Sequence, residues 1–223
     1  MKILFFDTET TGLPLDYDEP YTNVKNWPRL VQLSWMLEDT ETNEIIEHDY
    51  IIEPVGFIIP FAATKTHHIT HDWAERNGKP IKSVLLQFDL DLFKADLLVG
   101  HNIEFDINIV AAEFYRLKKD NRGVVGTGTI HDIIKHLLSK PKFCTMLTGT
   151  NYTKIEVPYQ DEYKWPKLAE LYRHFFGYDF KGAHNSLDDI RATRECFWEM
   201  ERLNSDEFWE YIKKSRYEAI NNI

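Results

Sequence analysis

The order of the apolar runs along the chain constrains the fold most. Ile3 to Phe6 is a short apolar run that ends in Asp7 and then in a loop rich in Thr, Gly and Pro, which is typical of a central strand leaving a sheet. Leu30 to Glu38 and Glu44 to Glu53 are rich in β-forming residues, and the polar stretch 39–43 between them predicts a hairpin. The chain is therefore expected to begin with three strands, the last two of them antiparallel.

Alternating strands and helices are predicted after this hairpin. Ile81 to Phe93 has apolar residues at helical spacing, Leu97 to Gly100 indicates a buried strand, and Glu104 to Lys119 indicates a helix. A fifth, short strand is expected near Val124 to Ile130, whereas Phe143 to Tyr163 is the weakest segment for regular structure and fits a hairpin or a loop. Further helices are predicted at Asp132 to Leu138, Pro166 to Phe176, Leu187 to Leu203 and Asp206 to about Ala219. These patterns predict an α/β fold, a mixed five-stranded sheet with helices on both faces.

Length and composition limit the number of domains and the class of protein. The 223 residues are 43% hydrophobic and 14% aromatic, which suffices for one core, since a typical domain has about 150 residues. We expect a single domain over residues 1–223, with its core at about 2–203 and a C-terminal helix at about 206–219. The formal charge of −10 argues against a protein that coats nucleic acid through a basic surface. It permits an enzyme that gathers carboxylates around metal ions.

The cysteine content and the apolar runs indicate the compartment. Cys144 and Cys196 are the two cysteines of the chain, too few for a disulfide framework, so a reducing cytoplasm is expected. The apolar run before Asp7 is shorter than a secretory signal requires. No uncharged stretch approaches the roughly 20 residues that cross a bilayer. A cytoplasmic protein without a membrane partner is predicted.

Two carboxylates stand at the end of the first predicted strand. Asp7 and Glu9 are two residues apart, so the strand period places both on the same face, where they suit a divalent cation. Taken alone, such a pair more often forms a turn or carries solvated charge. Asp7, however, follows a run that should be buried, where an unpaired carboxylate shifts its pKa and is neutralised unless a cation compensates it.

Two later acidic segments have a simple explanation when each is considered alone. Asp106 lies in the first turns of the helix after Gly100, with Asn102 as a candidate cap, and acids there are favourable to the helix dipole. In His184-Asn185-Ser186-Leu187-Asp188-Asp189, Ser186 is a candidate cap for the last long helix and the two aspartates fall in its first turn. Capping and a structural role for His184 stay open on this basis.

The conjunction of the three segments resembles a known family. They are similar to the three exonuclease motifs of the DnaQ-like (DEDD) 3'-5' exonucleases, which belong to the RNase H-like superfamily. The matching fragments, in chain order, are Phe6 to Leu13, Gly100 to Asp106 and His184 to Thr193. The resemblance covers Lys2 to about Met200 and implies an RNase H-like sheet. His184 stands five residues before Asp189, which implies the histidine branch of the family.

The resemblance implies a metal-dependent 3'-5' exonuclease. Its substrate would be the 3' end of single-stranded nucleic acid, with DNA favoured and RNA as the other option, and its products nucleoside 5'-monophosphates. Two Mg²⁺ or Mn²⁺ ions would offset both the carboxylate repulsion and the charge that develops on the phosphate. By resemblance, Asp7 bridges both metals, Glu9 and Asp189 serve the metal carrying the attacking water, and Asp106 holds the second metal partly through water. His184 would be the general base.

Substrate contacts are also implied by the resemblance. The residues concerned are Thr10, Thr11, Gly12, Leu13, Ile69 and Asn102. Leu13 would lie against the terminal base and Ile69 would press from the opposite side; between His67 and Ile69, His68 stands where the family has Gly. The most basic stretch, with nearby aromatic residues, is a candidate single-strand track, although such residues need no nucleic acid. It comprises Lys118, Lys119, Arg122, Lys135, Lys140 and Lys142, with Tyr152, Tyr159, Tyr163 and Trp165.

Other functional classes remain as alternatives. Phe5 to Thr10 superficially resembles the nucleophile loop of haloacid-dehalogenase-type, Mg²⁺-dependent phosphatases, but that family has Asp where this chain has Glu9. A catalytically weak relative that binds nucleic acid or docks on a polymerase is a third interpretation. The partners expected are therefore single-stranded DNA or RNA 3' ends, with a DNA polymerase as a further candidate.

Overall fold

A mixed five-stranded sheet forms the centre of the protein. The computed structural model describes residues 1–119, 128–159, 161–183 and 185–221. Its strands are β1 (Lys2–Thr10), β2 (Leu30–Asp39), β3 (Glu44–Ile51), β4 (Leu97–Gly100) and β5 (Lys142–Cys144). They lie in the order β3-β2-β1-β4-β5, with β1, β2 and β3 antiparallel and with β4 and β5 parallel to β1. The predicted α/β class and the mixed five-stranded sheet are confirmed.

Helices cover this sheet, and a small hairpin lies beyond it. Within the described residues the helices are α1 (Phe61–His67), α2 (His71–Asn77), α3 (Ile81–Lys94), α4 (Ile103–Lys119), α5 (Ile130–Ser139), α6 (Thr145–Thr153), α7 (Leu168–Phe176), α8 (Ser186–Leu203) and α9 (Ser205–Asn221). The hairpin pairs β6 (Ile155–Glu156) with β7 (Tyr163–Lys164). Across the described ranges, no helix has the length and apolar character needed to span a membrane.

The two faces of β1 pack against different helices because successive side chains of a strand point in opposite directions. Leu4 and Phe6 belong to a core that also holds buried side chains of α3, α4 and α5. Ile3 and Phe5 belong to a second core, shared with α7, α8 and α9. Asp7, two residues after Phe5, continues this second row toward the carboxyl end of the strand.

The fifth strand of the sheet lies later in the chain than the segment where a short strand was predicted. The structure puts β5 at Lys142–Cys144, paired in parallel with β4, and makes Ile130 the first residue of α5. Most of the predicted strand, 124–127, lies outside the described residues. A parallel neighbour of β4 requires a crossover connection, and α4 and α5 precede β5 along the chain. With three residues, β5 is too short to give an alternating pattern in the sequence.

Segment 143–163, the first hairpin and two short helices can also be compared with the predictions from the sequence. Segment 143–163 contains the end of β5, α6, β6 and the first residue of β7, so the hairpin interpretation was correct in part. The hairpin predicted at 39–43 is confirmed: the Asn43 amide donates to the Asp39 carbonyl at 2.8 Å, and Asn43 has a φ of 58°. Helices α1 and α2 had not been anticipated.

Candidate active site

Three carboxylates meet at the carboxyl end of β1. Asp7 and Glu9 lie on one face of the strand, opposite Ser34 and Gln32 of β2, and Asp189 comes from the first turn of α8. Each offers an oxygen that lies within 4.8 Å of the others, and all three residues are half-buried. An all-oxygen set of this kind is what Mg²⁺ and Mn²⁺ prefer, so the residues fit a divalent cation. We call them the metal cluster.

The start of α8 brings Asp189 to β1. Asn185 caps the helix, because its side-chain oxygen accepts from the amides of Leu187 at 3.2 Å and Asp188 at 3.4 Å. Ser186, the predicted cap, is instead the first helical residue. Its buried hydroxyl hydrogen-bonds the hydroxyl of Ser34, the residue opposite Asp7 on β2. The predicted N-cap of α8 was therefore wrong by one residue, because the Ser186 hydroxyl is hydrogen-bonded to Ser34 and does not cap the helix.

Asp106 approaches the metal cluster from α4 and is held by β1 itself. Its Oδ1 accepts from the Thr8 amide at 2.9 Å and from the Thr8 hydroxyl at 2.6 Å, and the residue is only 3% exposed. Thr8 lies between Asp7 and Glu9 in the strand, so one residue ties the fourth carboxylate to the other two of β1. Ahead of α4, Asn102 has a φ of 69°, and its carbonyl accepts from the Phe105 amide at 3.0 Å.

The electrostatics of these carboxylates favour protonation when no cation is bound. Burial raises the pKa of Asp7 well above its usual range, and the charges of Asp106, Asp189 and Glu9 raise it further. Burial, followed by Asp189 and Asp106, raises the pKa of Glu9 to about 8. Burial also raises the pKa of Asp106 to about 7, although the Thr8 hydrogen bonds oppose the shift. The sequence-based expectation that Asp7 needs a compensating cation is consistent with these shifts.

The loop after β1 is held in a defined conformation. The Thr10 hydroxyl donates to the Gly12 carbonyl at 2.6 Å, and Gly12 has a φ of 155°, which side chains disfavour. The Thr11 amide donates to the Arg29 carbonyl at 2.9 Å, and the Arg29 amide donates to the Thr11 hydroxyl at the same distance. Leu13 is 72% exposed. We call residues 10–13 the terminal loop; it presents an apolar side chain to solvent beside the metal cluster.

Glu113, a buried acid that the sequence analysis did not identify, holds Arg29, the residue that hydrogen-bonds Thr11 of the terminal loop. Glu113 of α4 accepts from Arg29 Nε at 2.8 Å, from Arg116 Nη1 at 2.9 Å and from the Leu30 amide at 3.1 Å. Arg116 also donates to the Trp27 carbonyl at 2.6 Å. The available signal was an acid in the apolar stretch 107–114, with Arg116 three residues later on the same helix face.

Segment 67–69 lies beside the terminal loop. The Ile69 amide donates to His67 Nδ1 at 3.1 Å, and Ile69, 9% exposed, belongs to a small core with Val31 and Ile59. Burial, the largest influence, lowers the pKa of His67, and the backbone of Thr10 acts in the opposite direction. His68 ends α1 with a φ of 63°. It thus adopts the left-handed conformation in which glycine is most at ease.

His101, next to Asn102, connects the edge of the sheet to two other segments. Its Nδ1 lies 3.1 Å from the Thr145 hydroxyl, and its Nε2 lies 3.0 Å from the Pro166 carbonyl. Burial lowers the pKa of His101 to about 4, so the ring is neutral at physiological pH. A neutral ring that donates from Nε2 and accepts at Nδ1 satisfies both contacts. The predicted general base, His184, lies outside the described residues.

Comparison with known proteins gives one family and a group of solved structures. The family model described as RNase_T: Exonuclease matches residues 4–197. The structure of E. coli exonuclease I in complex with a dT13 oligonucleotide is similar at 18% identity and a TM-score of 0.65, covering 94% of this chain and 43% of that chain. A product-bound exonuclease I has the same identity and TM-score, with 94% and 45% covered. No curated protein sequence matches the chain.

These structures show the fold, and they are longer than this chain. A complex described as ExoI/SSB-Ct is also similar, at 18% identity and a TM-score of 0.64, covering 93% of this chain and 42% of that chain. The chain spans less than half the length of the exonuclease I chains it matches.

Proposed function

The chain belongs to the RNase_T exonuclease family, and from that premise we propose that it removes nucleotides one at a time from the 3' end of single strands. The predicted RNase H-like fold is confirmed by the similar structures. The observation that carries the proposal is the metal cluster, with Asp106 tied to its strand through Thr8. We propose that residues 1–223 act as one exonuclease domain of the histidine branch, releasing nucleoside 5'-monophosphates.

The carboxylates have distinct positions from which to hold two divalent cations, Mg²⁺ or Mn²⁺. When bound, such a pair stabilises the attacking and leaving oxygens of an in-line displacement at phosphorus. Asp7, whose pKa responds to all three other acids, is the central ligand. Glu9 and Asp189 lie beside it on the α8 side, and Asp106 serves from α4 with one oxygen already committed to Thr8.

The terminal loop and its neighbours are proposed to bind the last nucleotide. Its backbone is fixed by the Thr10 and Thr11 hydrogen bonds, so it is ordered before a strand arrives. Leu13 supplies the exposed apolar surface for the base, and Ile69 approaches from segment 67–69. Asn102, at the end of β4, is proposed as a further contact.

DNA is the favoured substrate, and the support comes from a relative. The exonuclease I structures hold dT13 and dA16 oligonucleotides. The role proposed for His184 is to accept the proton of the attacking water, since a histidine five residues before Asp189 marks the histidine branch. A cytoplasmic location and a DNA polymerase partner stay predictions from the sequence.

The direction of attack is tested with labelled oligonucleotides in Mg²⁺ and in EDTA. Matched DNA and RNA strands, single and double, are used with a free or an inverted 3' end, and products are sized over time. We expect mononucleotide products from free 3' ends in Mg²⁺ only, and resistance of the inverted 3' end. Cutting of a circular single strand as fast as a linear one would contradict the proposal.

The general base is tested separately. His184→Ala is expected to lower kcat by about 10²- to 10⁴-fold, the usual contribution of a positioned base, with Mn²⁺ binding retained. The remaining rate should rise with pH, because hydroxide replaces the missing base. A variant with wild-type kcat and a lowered melting temperature would assign His184 a structural role instead.

A further inference from the structure

A segment that lies next to the terminal loop contains no acidic residue. Residues 54–71 contain no Asp or Glu, although the whole chain has 36 of them. The same segment contains Lys65 and three histidines, and it includes all of α1. We call it the acid-free surface. A polyanion meets less repulsion here than on the average surface of this protein.

Two large apolar side chains are exposed on the acid-free surface, and two of its rings lie next to cations. Ile58 and Phe61 are 73% and 74% exposed. The Lys65 ammonium lies 4.9 Å from the centre of the Phe61 ring, one helical turn away on α1. The Arg29 guanidinium lies 4.3 Å from the centre of the Phe57 ring. Phe61 is the exposed ring of the two, and an exposed ring with an adjacent cation is the combination that binds bases and phosphates of single strands.

The acid-free surface is continuous with the proposed site for the last nucleotide. Arg29 exchanges two hydrogen bonds with Thr11 of the terminal loop while its guanidinium covers Phe57. At the other end of the segment, Ile69 belongs to the same small core as Val31 of β2. Arg29 thus connects the terminal loop to the acid-free surface.

We propose that the acid-free surface binds the nucleotides that precede the 3' end of a single-stranded substrate. Bases stack on Phe61 and contact Ile58, while Lys65 faces the phosphates. The proposal rests on the proposed exonuclease function and adds the path of the strand to it.

Two other regions with exposed aromatic side chains contain acidic residues. Tyr159, Tyr163 and Trp165 are exposed around the β6–β7 hairpin, but Glu156, Asp161 and Glu162 line the same hollow. Tyr17 is 56% exposed and stands between Asp16 and Asp18. Two lysines of the predicted basic track have internal partners, since Lys142 pairs with Glu104 at 2.9 Å and Lys140 donates to the Ala95 carbonyl. These surfaces are less suited to a strand than the acid-free one.

The test compares short and long substrates of the full chain in Mg²⁺. The quantity measured is the ratio of kcat/KM for dT12 to kcat/KM for dT3, since only the longer strand extends far from the terminal loop. Phe61→Ala is expected to lower this ratio about tenfold, in the range usual for loss of one stacked base. Tyr17→Ala is the matched control, an exposed tyrosine with acidic neighbours, and should leave the ratio at the wild-type value.

A binding measurement isolates the cation. Fluorescence anisotropy of labelled dT12 in EDTA, over about 50 to 200 mM salt, gives the salt dependence of the dissociation constant. Lys65→Gln should reduce the slope of log K against log salt by about one, because one phosphate contact is lost. Melting temperatures verify that the exposed substitutions leave the fold unchanged.

Separate outcomes overturn the two proposals. The first outcome assumes that wild type hydrolyses both dT3 and dT12. If Phe61→Ala then keeps the wild-type kcat/KM ratio and Lys65→Gln keeps the wild-type salt slope, the strand path is wrong and the surface belongs to a protein partner. An equal loss in Tyr17→Ala would also overturn it. If wild type hydrolyses neither strand in Mg²⁺, the exonuclease proposal fails, and the strand path fails with it.

Discussion

Two groups of buried carboxylates in this protein are neutralised in different ways. Glu113 is surrounded by donors that the chain itself supplies, Arg29 at 2.8 Å and Arg116 at 2.9 Å. The charges that act on Asp7 and Glu9 come instead from other carboxylates. Glu113 has its partners once the chain has folded, whereas burial and then mutual repulsion keep the pKa values of Asp7 and Glu9 raised until a cation binds.

The difference separates what the fold requires from what the chemistry requires. A buried acid with its own arginines holds elements together, here α4 against the strand start at Leu30. Asp7 and Glu9, whose pKa values are raised, cost folding free energy at neutral pH, because the folded state favours their protonated forms. That cost is the physical mark of a binding site for cations.

The largest effect is expected from neutralising the centre of the metal cluster. Asp7→Asn should lower kcat/KM by roughly 10⁴-fold or more, above 5 kcal/mol at about 1.4 kcal/mol per tenfold. In EDTA at pH 8 the same variant should melt at a higher temperature than wild type, because one repelling charge is gone. The control is Asp188→Asn. Asp188 is next to Asp189 in the chain but pairs with Arg191 at 3.2 Å. Lower EDTA stability of Asp7→Asn would refute the comparison.

A loss of stability, the opposite result, is expected when Glu113 is neutralised. Glu113→Gln should lower the free energy of unfolding by about 3–5 kcal/mol, because the partly buried guanidinium groups of Arg29 and Arg116 lose their buried carboxylate. Glu104→Gln, on the same helix but exposed and paired with Lys142, should cost about 1 kcal/mol or less. Urea denaturation in EDTA measures both. Equal costs for the two variants would show that burial of Glu113 adds nothing.

The pH dependence of stability sharpens the contrast. Since the folded-state pKa values of Glu9 and Asp106 are raised to about 8 and about 7, protonation of these groups favours the folded state. Their contribution is full below about pH 4 and is lost as the pH rises to about 8. In EDTA the melting temperature of wild type should fall over this range relative to Asp7→Asn. Mn²⁺ should reverse the fall, since it binds the ionised carboxylates of the folded state. A difference in melting temperature between wild type and Asp7→Asn that does not change with pH would contradict the raised pKa values.

The smallest effect concerns the helix that carries Asp189. Asn185→Ala removes the side-chain acceptor for the amides of Leu187 and Asp188 and should cost about 1 kcal/mol of stability. Mn²⁺ affinity should also fall, because the first turn of α8 positions Asp189. Calorimetric titration measures the affinity, and Asn204→Ala, after the last residue of α8, is the comparison.

The sequence predicted the parts of the site that follow local rules. The strand period placed Asp7 and Glu9 on one face, and the helix pattern put Asp106 and Asp189 in first turns. The connections between distant elements had no local signal: Thr8 to Asp106, Ser34 to Ser186, and Glu113 to Arg29. The same reason explains β5, whose three residues are a strand because β4 pairs with them. Tertiary contact also decided the cap of α8.

The metal cluster joins the first strand to a helix that is synthesised much later. Asp7 leaves the ribosome early, whereas Asp189 follows on the order of ten seconds later at ordinary elongation rates. Until α8 docks beside Ser34, the nascent chain has the first acids of a nuclease but cannot assemble their shared cation site. Under the proposed function, hydrolysis thus requires that α8 has docked on the sheet, so fragments that stop before α8 are expected to be inactive.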